Sequence, residues 1–450
     1  MNSLQKTQVR GKRVTVLGLG HFGGGIAVSR WLVENGARVL VADHSPAEKL
    51  AEPIGRLNDL PIEFRLGPEQ READFTDTDL VVASPAIPPD NRYLQTARAA
   101  GVPITSEICL FIGRCPATVF GVTGTKGKST TSTLLGRMLA ARFTTWVGGN
   151  IGRSLLPDLP RMKPDDLVVL ELSSFMLEHL AALRWSPHVA VVTMISADHL
   201  DWHGSLENYV QAKRNIVRFQ TAGDFAVLNQ TNETARAFAG DTLAKVIPFG
   251  MKEPRRFELA LPGEHNQLNA QAAFAAASIM GIRWENAQSA VADFHGLDHR
   301  LQVVAQYDGV TFVNDSIATI PEAAIAALNA FPAGKVIQIV GGSDKKHLPV
   351  DELCAALTAR AKAVLCIGET GERICAMLTS SKQFQDLPVQ NCGDLSSAVK
   401  KARSLARPGD IVLLSPGHPS YDQFVNFEHR GSLFRDEVRR SAANENEPRT

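Results

Sequence analysis

The sequence predicts an α/β protein of three domains, each a largely parallel sheet wound with helices. Three observations carry this prediction. Short apolar, β-branched runs alternate with amphipathic helical patterns along the whole chain, as parallel sheets with crossover helices require. The 450 residues exceed what one core holds, and a prior of about 150 residues per domain gives about three. Three of the apolar runs open directly into glycine-rich turns, at Gly18, Gly124 and Gly341. We place the domains at residues 1–113, 114–297 and 298–450.

The first domain opens on residues 13–17, followed by the turn Gly18-Leu-Gly-His-Phe-Gly23. A helix is predicted through Glu34, and a strand over 38–42 closed by Asp43. Further strands are predicted over 80–83 and 102–105. Gly18, Gly20 and Gly23 after a strand, with Asp43 twenty residues beyond Gly23, form a Rossmann-like fingerprint for a phosphate-bearing ligand. Glycine lets the backbone approach an anion closely, and that physics serves many nucleotides. On these residues alone, a nicotinamide-dependent oxidoreductase is one reading. Ser84-Pro-Ala-Ile-Pro-Pro89 is a proline-stiffened loop at a strand end, where such sheets meet ligand. Glu107, at the junction with the next domain, reads as a solvated acid.

The second domain carries the most informative stretch, Thr123-Gly-Thr-Lys-Gly-Lys-Ser-Thr-Thr131. A strand predicted over 117–122 precedes it and a helical pattern over 132–141 follows. Gly124 and Gly127, flanking Thr125 and Lys126, let backbone N–H groups turn toward an anion, and the helix start adds partial positive charge. Lys128 can reach the β- and γ-phosphates, and the Ser129 or Thr130 hydroxyl can ligate Mg²⁺. Two residues separate Gly124 from Gly127, so this is not a strict Walker A motif. The pattern predicts a central P-loop, ATPase-like domain that uses ATP or GTP. Further strands are predicted over 167–170, 189–193 and 225–228. Glu171 ends one of these buried runs and is the first metal candidate, because an acid beside a phosphate loop commonly holds Mg²⁺. Ser173 and Ser174 fit either substrate contact or a helix cap. Asp198-His-Leu-Asp-Trp-His203 is a His/Asp cluster at a strand end. From it we select His199 as a Mg²⁺ ligand, leaving Asp198, Asp201 and His203 unassigned; zinc is disfavoured without an accompanying cysteine. By pattern alone Lys213 reads as a surface lysine. Asn266 and Asn269, three apart, share a helical face and can read an adenine, grip a phosphate or cap a helix.

The third domain has strands predicted over 310–313, 336–340, 363–367 and 411–414. Arg300 is placed to reach a γ-phosphate held by another domain. Asp315 reads as free to hydrogen-bond a ribose or ligate a metal. Thr319-Ile-Pro-Glu322 reads as a capping box opening a helix to Asn329. Gly341-Gly-Ser-Asp-Lys-Lys346, with Lys345 placed for an anion, and Ser415-Pro-Gly-His-Pro-Ser420 are two strand-end loops suited to a small acidic substrate.

Composition excludes other classes. Hydrophobic residues make up 44% and charged residues 21%, as in a soluble globular protein. Lys plus Arg and Asp plus Glu balance at 47 each, so no global attraction to nucleic acid or anionic lipid exists. Neither partner is expected. The 6 cysteines are scattered with no Cys-x-x-Cys pair, which suits free thiols in a reducing cytoplasm. Residues 1–12 lack the apolar segment of a signal peptide, and no apolar run reaches the ~18 residues of a membrane span. Residues 441–450 are polar and expected to fray.

Taken in order, residues 123–131, 171–175, 198–203, 265–269, 299–300, 314–319 and 415–427 resemble the Mur ligases, and the resemblance covers nearly the whole chain. It implies a three-domain cytoplasmic enzyme of peptidoglycan precursor synthesis, acting as a monomer. The Rossmann-like first domain would bind the UDP group of the substrate instead of NAD, with Gly18, Gly20 and Gly23 near the phosphates and Asp43 near the uracil. Ser84, Asn150 and Ser173 would join that substrate site. The central domain would bind ATP through residues 124–130, Asn266 and Asn269, with Arg300 and Asp315 contributing from the third domain. Lys128, Glu171, His199 and Lys213 would be the catalytic set. The resemblance also implies that Lys213 is carbamylated and joins Ser129, Glu171 and His199 in holding Mg²⁺. Thr319, Lys345, Ser420 and Phe427 would hold the amino acid. The implied reaction is ADP-forming amide ligation of D-glutamate to UDP-N-acetylmuramoyl-L-alanine.

Two places depart from the family's usual residues. Ile317 stands where a lysine is usual, and His418 and Pro419 where small residues are usual. Both lie in the implied amino-acid pocket, so L-glutamate or another amino acid is the rival substrate.

Overall fold

A computed structural model describes residues 8–20, 23–151, 153–250, 255–261, 263–344, 348–380 and 387–443. The chain forms two compact units, Met1–Phe294 and His295–Thr450. The first unit contains two sheets and the second contains one.

The first sheet comprises β1 (Arg13–Leu17), β2 (Arg38–Asp43), β3 (Ile62–Leu66), β4 (Leu80–Ala83) and β5 (Ile104–Thr105). Its order is β3-β2-β1-β4-β5 and all pairs are parallel. The strand order reverses beside β1, so the turn after β1 and the loop after β4 flank one crevice at the carboxyl ends of the strands. β5 is shorter than residues 102–105, because Pro103 has no N–H to give the ladder.

The second sheet comprises β6 (Thr118–Thr123), β7 (Thr145–Gly149), β8 (Leu167–Glu171), β9 (Val189–Val192), β10 (Phe225–Asn229) and β11 (Lys245–Phe249). Its order is β11-β10-β9-β6-β8-β7, again all parallel. β6 is central, so the turn at its carboxyl end lies between the ends of β8 and β9. Both faces of β8 and β9 are buried, which matches their unbroken apolar sequences.

The helix Glu107–Ile112 ties the two sheets together. Its residues Ile108 to Ile112 are all buried, so it is apolar around its whole circumference. Ile108, Leu110 and Phe111 join Val28 and Trp31 of the first sheet's layer and Leu156, Leu177 and Leu180 of the second's in one apolar cluster. Each such side chain contributes about 1.5–3 kcal/mol on burial. Glu107 is not a solvated acid as expected: it is half-buried, the Ser154 hydroxyl donates to it, and burial pushes its carboxyl up.

The second unit's sheet comprises β12 (Gln302–Tyr307), β13 (Val310–Asn314), β14 (Val336–Val340), β15 (Ala361–Ile367), β16 (Val389–Gly393) and β17 (Ile411–Leu414). Its order is β12-β13-β17-β14-β15-β16. β12 and β13 are antiparallel, joined at Asp308 (φ 50°) and Gly309 (φ 74°), the left-handed pair that a tight hairpin uses. The remaining pairs are parallel.

Two local expectations are corrected. The helix Pro321–Asn329 ends where predicted, but its N-cap is Ile320 with no side-chain bond, so Thr319 and Glu322 do not form a capping box. Pro321 at the first helical position starts the helix instead, its fixed φ and missing N–H both suiting that place. The helix Phe427–Ala443 takes in residues 441–443 of the tail expected to fray; residues 444–450 lie outside the described residues. Among the described residues, no helix is long and apolar enough to cross a membrane.

The linking helix sets a prediction. Phe111→Ala empties a fully buried aromatic site and should cost about 3–5 kcal/mol. Urea unfolding should show the midpoint falling by that equivalent, and an unchanged midpoint would mean the two sheets do not share a core.

Candidate active site

The turn at the end of β6 is pressed from three sides. Gly124 has φ 151°, and a Cβ there would lie 2.0 Å from Thr193 Oγ1. Gly127 has φ 84° and caps the helix Lys128–Ala140; a Cβ there would lie 2.3 Å from Asn269 Oδ1. Both positions therefore require glycine, for space and for backbone conformation. The Thr193 hydroxyl donates to the carbonyls of Thr123 and Lys126, closing the turn from the β9 side. The amides of Thr125 and Lys126 both point to the Met194 carbonyl, at 2.5 and 3.4 Å. They are spent within the protein, which narrows the expected anion cradle to the first turn of the helix. That turn begins at Lys128, Ser129 and Thr130, where the helix start adds partial positive charge.

Lys128 Nζ donates to the Thr125 carbonyl at 3.0 Å, folding the side chain back over the turn. Ser129 is buried at the helix start, with Thr130 beside it half-buried. Asn266 and Asn269 lie on the helix Glu264–Ser278, both buried, and Asn269 Oδ1 accepts from the Thr131 hydroxyl. Asn269 thus abuts the phosphate turn, and its Nδ2 donates to Asn266 Oδ1 at 3.4 Å.

Lys213 is the largest departure from the pattern-based reading. It is 1% exposed, on the helix Leu206–Arg218, and its Nζ donates to the Gly124 carbonyl at 2.9 Å. It also sits 4.6 Å from the centre of the Tyr209 ring. Burial, and next the nearby Lys128 cation, push its pKa well below the ordinary lysine value; Asp198 and Glu171 oppose them. The amine at the floor of the phosphate turn is therefore held toward its neutral form. Tyr209 is a functional neighbour the sequence analysis missed. Its hydroxyl pairs with the Thr125 hydroxyl at 2.9 Å, and burial raises its pKa to about 12. The available signal was its position four residues before Lys213, on the same helical face.

Glu171 ends β8 and is 1% exposed. Asn150 Nδ2 donates to its Oε1 at 2.9 Å, while Oε2 has no hydrogen-bond partner among the described residues. A buried, half-satisfied carboxylate oxygen is costly and suits a cation. Ser173 caps the helix Ser174–Ala182 through Met176 N, so the capping reading holds. Ser174 Oγ meets His203 Nε2 at 2.9 Å, a buried pair the sequence did not reveal.

After β9, His199 sits at φ 50°, a left-handed conformation disfavoured for a side-chain-bearing residue. Its imidazole is largely exposed, with Nε2 3.6 Å from Asp198 Oδ2. Phe175 fills the space behind it, 5.0 Å from the His199 ring and stacked at 5.5 Å on His203. No set of three metal-binding side chains is preassembled among the described residues. The donors near the turn are a carboxylate oxygen, a hydroxyl, an imidazole and the buried Lys213 amine.

In the first sheet, Gly18 and Gly20 have φ 90° and 60°, and Gly23 caps the following helix at φ 83°. Asp43 is buried: its Oδ2 accepts from the amides of Leu19 and Gly20, at 2.9 and 3.3 Å, and its Oδ1 from Ser45 at 2.8 Å. The carboxylate therefore braces the glycine turn itself. A Cβ on Gly18 would come within 2.9 Å of the Ser84 Cβ, which places the loop after β4 against that turn.

The second unit carries its own cluster at the carboxyl ends of β13, β14 and β17. Asp315 is not free as expected. It is 5% exposed, accepting from the Ser415 hydroxyl at 2.7 Å and the Leu301 amide at 3.1 Å, and burial raises its pKa to about 6. Arg300 is exposed, next to His299, which is buried and pairs with Asn314 at 3.0 Å. Ser420 is buried, Thr319 is half-buried, and Phe427 lies half-buried with its ring edge-on to His299 at 6.1 Å. Lys345 lies outside the described residues. Arg430, which no sequence pattern singles out, is fully buried. Its guanidinium donates to Ser316 Oγ, the Ser316 carbonyl and the His418 carbonyl at 2.8–3.0 Å. His418 is itself 1% exposed, with Nε2 unpartnered among the described residues.

A folded-state pKa below the unfolded one makes Lys213 a liability at neutral pH. The cost is absent above the ordinary lysine value of about 10.4 and grows as pH falls below it. Lys213→Met should therefore melt higher than the wild type at pH 7.5, with the gap closing as pH rises toward 10.4. A gap that does not change with pH would show that the amine is not buried neutral.

Comparison with known proteins matches this geometry. Residues 12–106 match the MurD-like N-terminal domain, 122–258 the Mur ligase middle domain and 299–418 the Mur ligase glutamate ligase domain. The chain is 42% identical to the UDP-N-acetylmuramoylalanine--D-glutamate ligase of Roseiflexus sp. (strain RS-1), over 95% of this chain and 98% of the relative. It is 38% identical to the enzyme of that name from Symbiobacterium thermophilum, with the same coverage. Among solved structures, the UDP-N-acetylmuramate-alanine ligase MurC of Thermotoga maritima aligns with a TM-score of 0.61 at 22% identity, covering 96% of this chain and all of that one. A glycine turn floored by a buried lysine, an acid beside it, and three matched domains in order lead to one conclusion: this chain belongs to the Mur ligase family.

Proposed function

We propose that this chain is an ADP-forming ligase that joins D-glutamate to UDP-N-acetylmuramoyl-L-alanine in cytoplasmic peptidoglycan precursor synthesis, working as a monomer. The observation that carries the proposal is the buried amine of Lys213 against the Gly124 carbonyl, in a chain 42% identical to a ligase of that name. A nicotinamide oxidoreductase would leave the phosphate turn, Glu171 and Lys213 without a role.

In this reading residues 1–113 take the UDP end of the substrate, through the turn at Gly18, Gly20 and Gly23 and the loop at Ser84. Asp43 acts there by bracing the turn. Residues 114–297 take ATP, with the triphosphate on the first turn of the helix Lys128–Ala140. Ser129, Glu171, His199 and a carbamylated Lys213 would hold Mg²⁺, and the orphaned Glu171 Oε2 fits that ligand. Mg²⁺, when bound, neutralises charge on the triphosphate during transfer. A neutral lysine amine can add CO₂, releasing one proton and leaving a carbamate whose oxygens can ligate; a protonated amine cannot. Burial, which lowers the Lys213 pKa, favours that neutral form.

The chemistry follows from the electrophile. A carboxylate is unreactive toward amines because it is anionic and has no leaving group. Its oxygen attacks the γ-phosphorus of ATP, ADP departs, and an acyl phosphate forms. Lys128, swinging from the Thr125 carbonyl, offsets the charge on the transferring group. The glutamate amine, deprotonated, then attacks the acyl carbon. A tetrahedral intermediate collapses with loss of phosphate, and the amide remains. Residues 298–450 supply the amino acid through Thr319, Lys345, Ser420 and Phe427, with an ATP contact from Arg300 and with Asp315 bracing the loop beside it. Positioning of the amine, and exclusion of water from the acyl phosphate, are the main contributions asked of them.

The direct test is ADP release on UDP-N-acetylmuramoyl-L-alanine with D- and L-glutamate side by side. Turnover with D-glutamate is expected to exceed that with L-glutamate on the order of ten-thousandfold, the discrimination a polar site gives when its groups are left unpaired by the wrong isomer. Preference for the L-isomer would overturn the assignment and turn attention to Ile317 and His418. For carbamylation, Lys213→Ala should lose activity on the order of a hundredfold. Short carboxylates added to the buffer should restore part of it, and a fully active variant would remove the carbamate from the mechanism.

A further inference from the structure

We propose that Trp202 is a positioning residue that makes the two ligands of the first unit tighten each other's binding. Its indole N–H, donated to the Ala86 carbonyl at 3.3 Å, ties the loop after β4 to the loop that presents His199. This inference rests on the function proposed above.

Each end of that hydrogen bond is mechanically committed. Ala86 lies in the loop that packs on Gly18, where a Cβ would meet Ser84 at 2.9 Å and Ile87 at 3.5 Å. A ligand that settles on the glycine turn therefore also sets this loop. At the other end, Trp202 belongs to the one-turn helix Leu200–His203. The amides of Trp202 and His203 both donate to the His199 carbonyl, at 3.2 and 3.0 Å, so that helix cannot shift without carrying His199. His199 holds a left-handed φ of 50°, a conformation that persists only where its surroundings impose it.

The same helix also grips the end of β8. The Trp202 ring lies 4.7 Å from Phe175 and 4.5 Å from His203, and His203 reaches Ser174 Oγ at 2.9 Å. Ser174 and Phe175 form the first turn after Glu171, so the spacing between Glu171 and His199 is set by this ring stack. One indole thus touches the loop of one ligand and the stack that spaces the groups for the other. Coupling through such a contact is reciprocal: whatever factor the UDP-linked acid lends to the nucleotide, the nucleotide lends to the acid.

The test uses the full chain and titrates the non-hydrolysable nucleotide AMP-PNP with Mg²⁺, with and without saturating UDP-N-acetylmuramoyl-L-alanine. In the wild type the acid should tighten AMP-PNP about fivefold, the low end of measured couplings, because the hydrogen bond is solvent-exposed. Trp202→Phe keeps a ring against Phe175 but has no N–H. In it each ligand alone should bind within about twofold of wild type while the coupling factor falls to about one. A merely structural residue would weaken both separate affinities, and undiminished coupling in the variant overturns the proposal, as does absent coupling in the wild type. Amide exchange gives a reading without any variant. Adding the UDP-linked acid alone should slow exchange across residues 198–203, and unchanged exchange there overturns the link. A chain that binds AMP-PNP but no UDP-linked acid overturns the proposed function itself, a result distinct from uncoupled binding of both.

Discussion

The first unit is organised around a lysine amine buried beneath a phosphate-binding turn. Lys213 Nζ reaches the Gly124 carbonyl at 2.9 Å only because the turn comes down onto the helix below it. That approach is possible because Gly124 and Gly127 have no Cβ; Thr193 and Asn269 occupy the space one would take. Remove either glycine and the turn must rise, the amine loses its acceptor, and the neighbouring hydroxyls of Thr125 and Tyr209 lose their register. Fixed backbone geometry and an unusual protonation state are here one constraint.

That constraint is destabilising taken alone. A buried lysine amine, a Glu171 carboxylate oxygen with no partner among the described residues and a left-handed His199 each cost free energy that a purely structural core would avoid. The surrounding β-sheet offsets this: β8 and β9 are buried along their whole length and hold the three elements that meet at the turn. Groups left half-satisfied inside a rigid frame are what a site needs if its ligands are to complete it. The proposed cation and triphosphate would supply partners to these groups, so binding offsets part of their cost.

The second unit solves a related problem differently. Its strand-end loops are held by the guanidinium of Arg430, which is fully buried and bonded to hydroxyl and carbonyl oxygens of Ser316 and His418. Burial lowers its pKa, yet a guanidinium stays charged at neutral pH. The fixed fork of donors spans two loops at once, which a lysine could not do. Asp315 and Ser415 tie the same two loops a second time. The strand-end loops of this unit thus rest on polar staples, with its apolar clusters lying on the two faces of the sheet behind them.

What the sequence determined by itself was everything with a local signature. Central strands announce themselves as apolar runs because both faces are buried, and β1, β2, β4, β6, β8, β9, β10, β13, β14, β15 and β17 were all legible. The strands it did not reveal, β3, β7, β11, β12 and β16, are sheet edges, whose half-exposed residues mix polar with apolar and blur the pattern. The glycine turns were legible for a similar reason, since a tight turn constrains adjacent residues. Only tertiary structure decided what depends on distant partners. Lys213 lies far along the chain from Gly124, and nothing in its own helix says that it is buried. Asp315 looked available until Ser415 was seen beside it, and the Thr319 cap gave way to Pro321. Burial, partner choice and protonation state are set by contacts between residues remote in sequence, so they emerge only when the chain is folded.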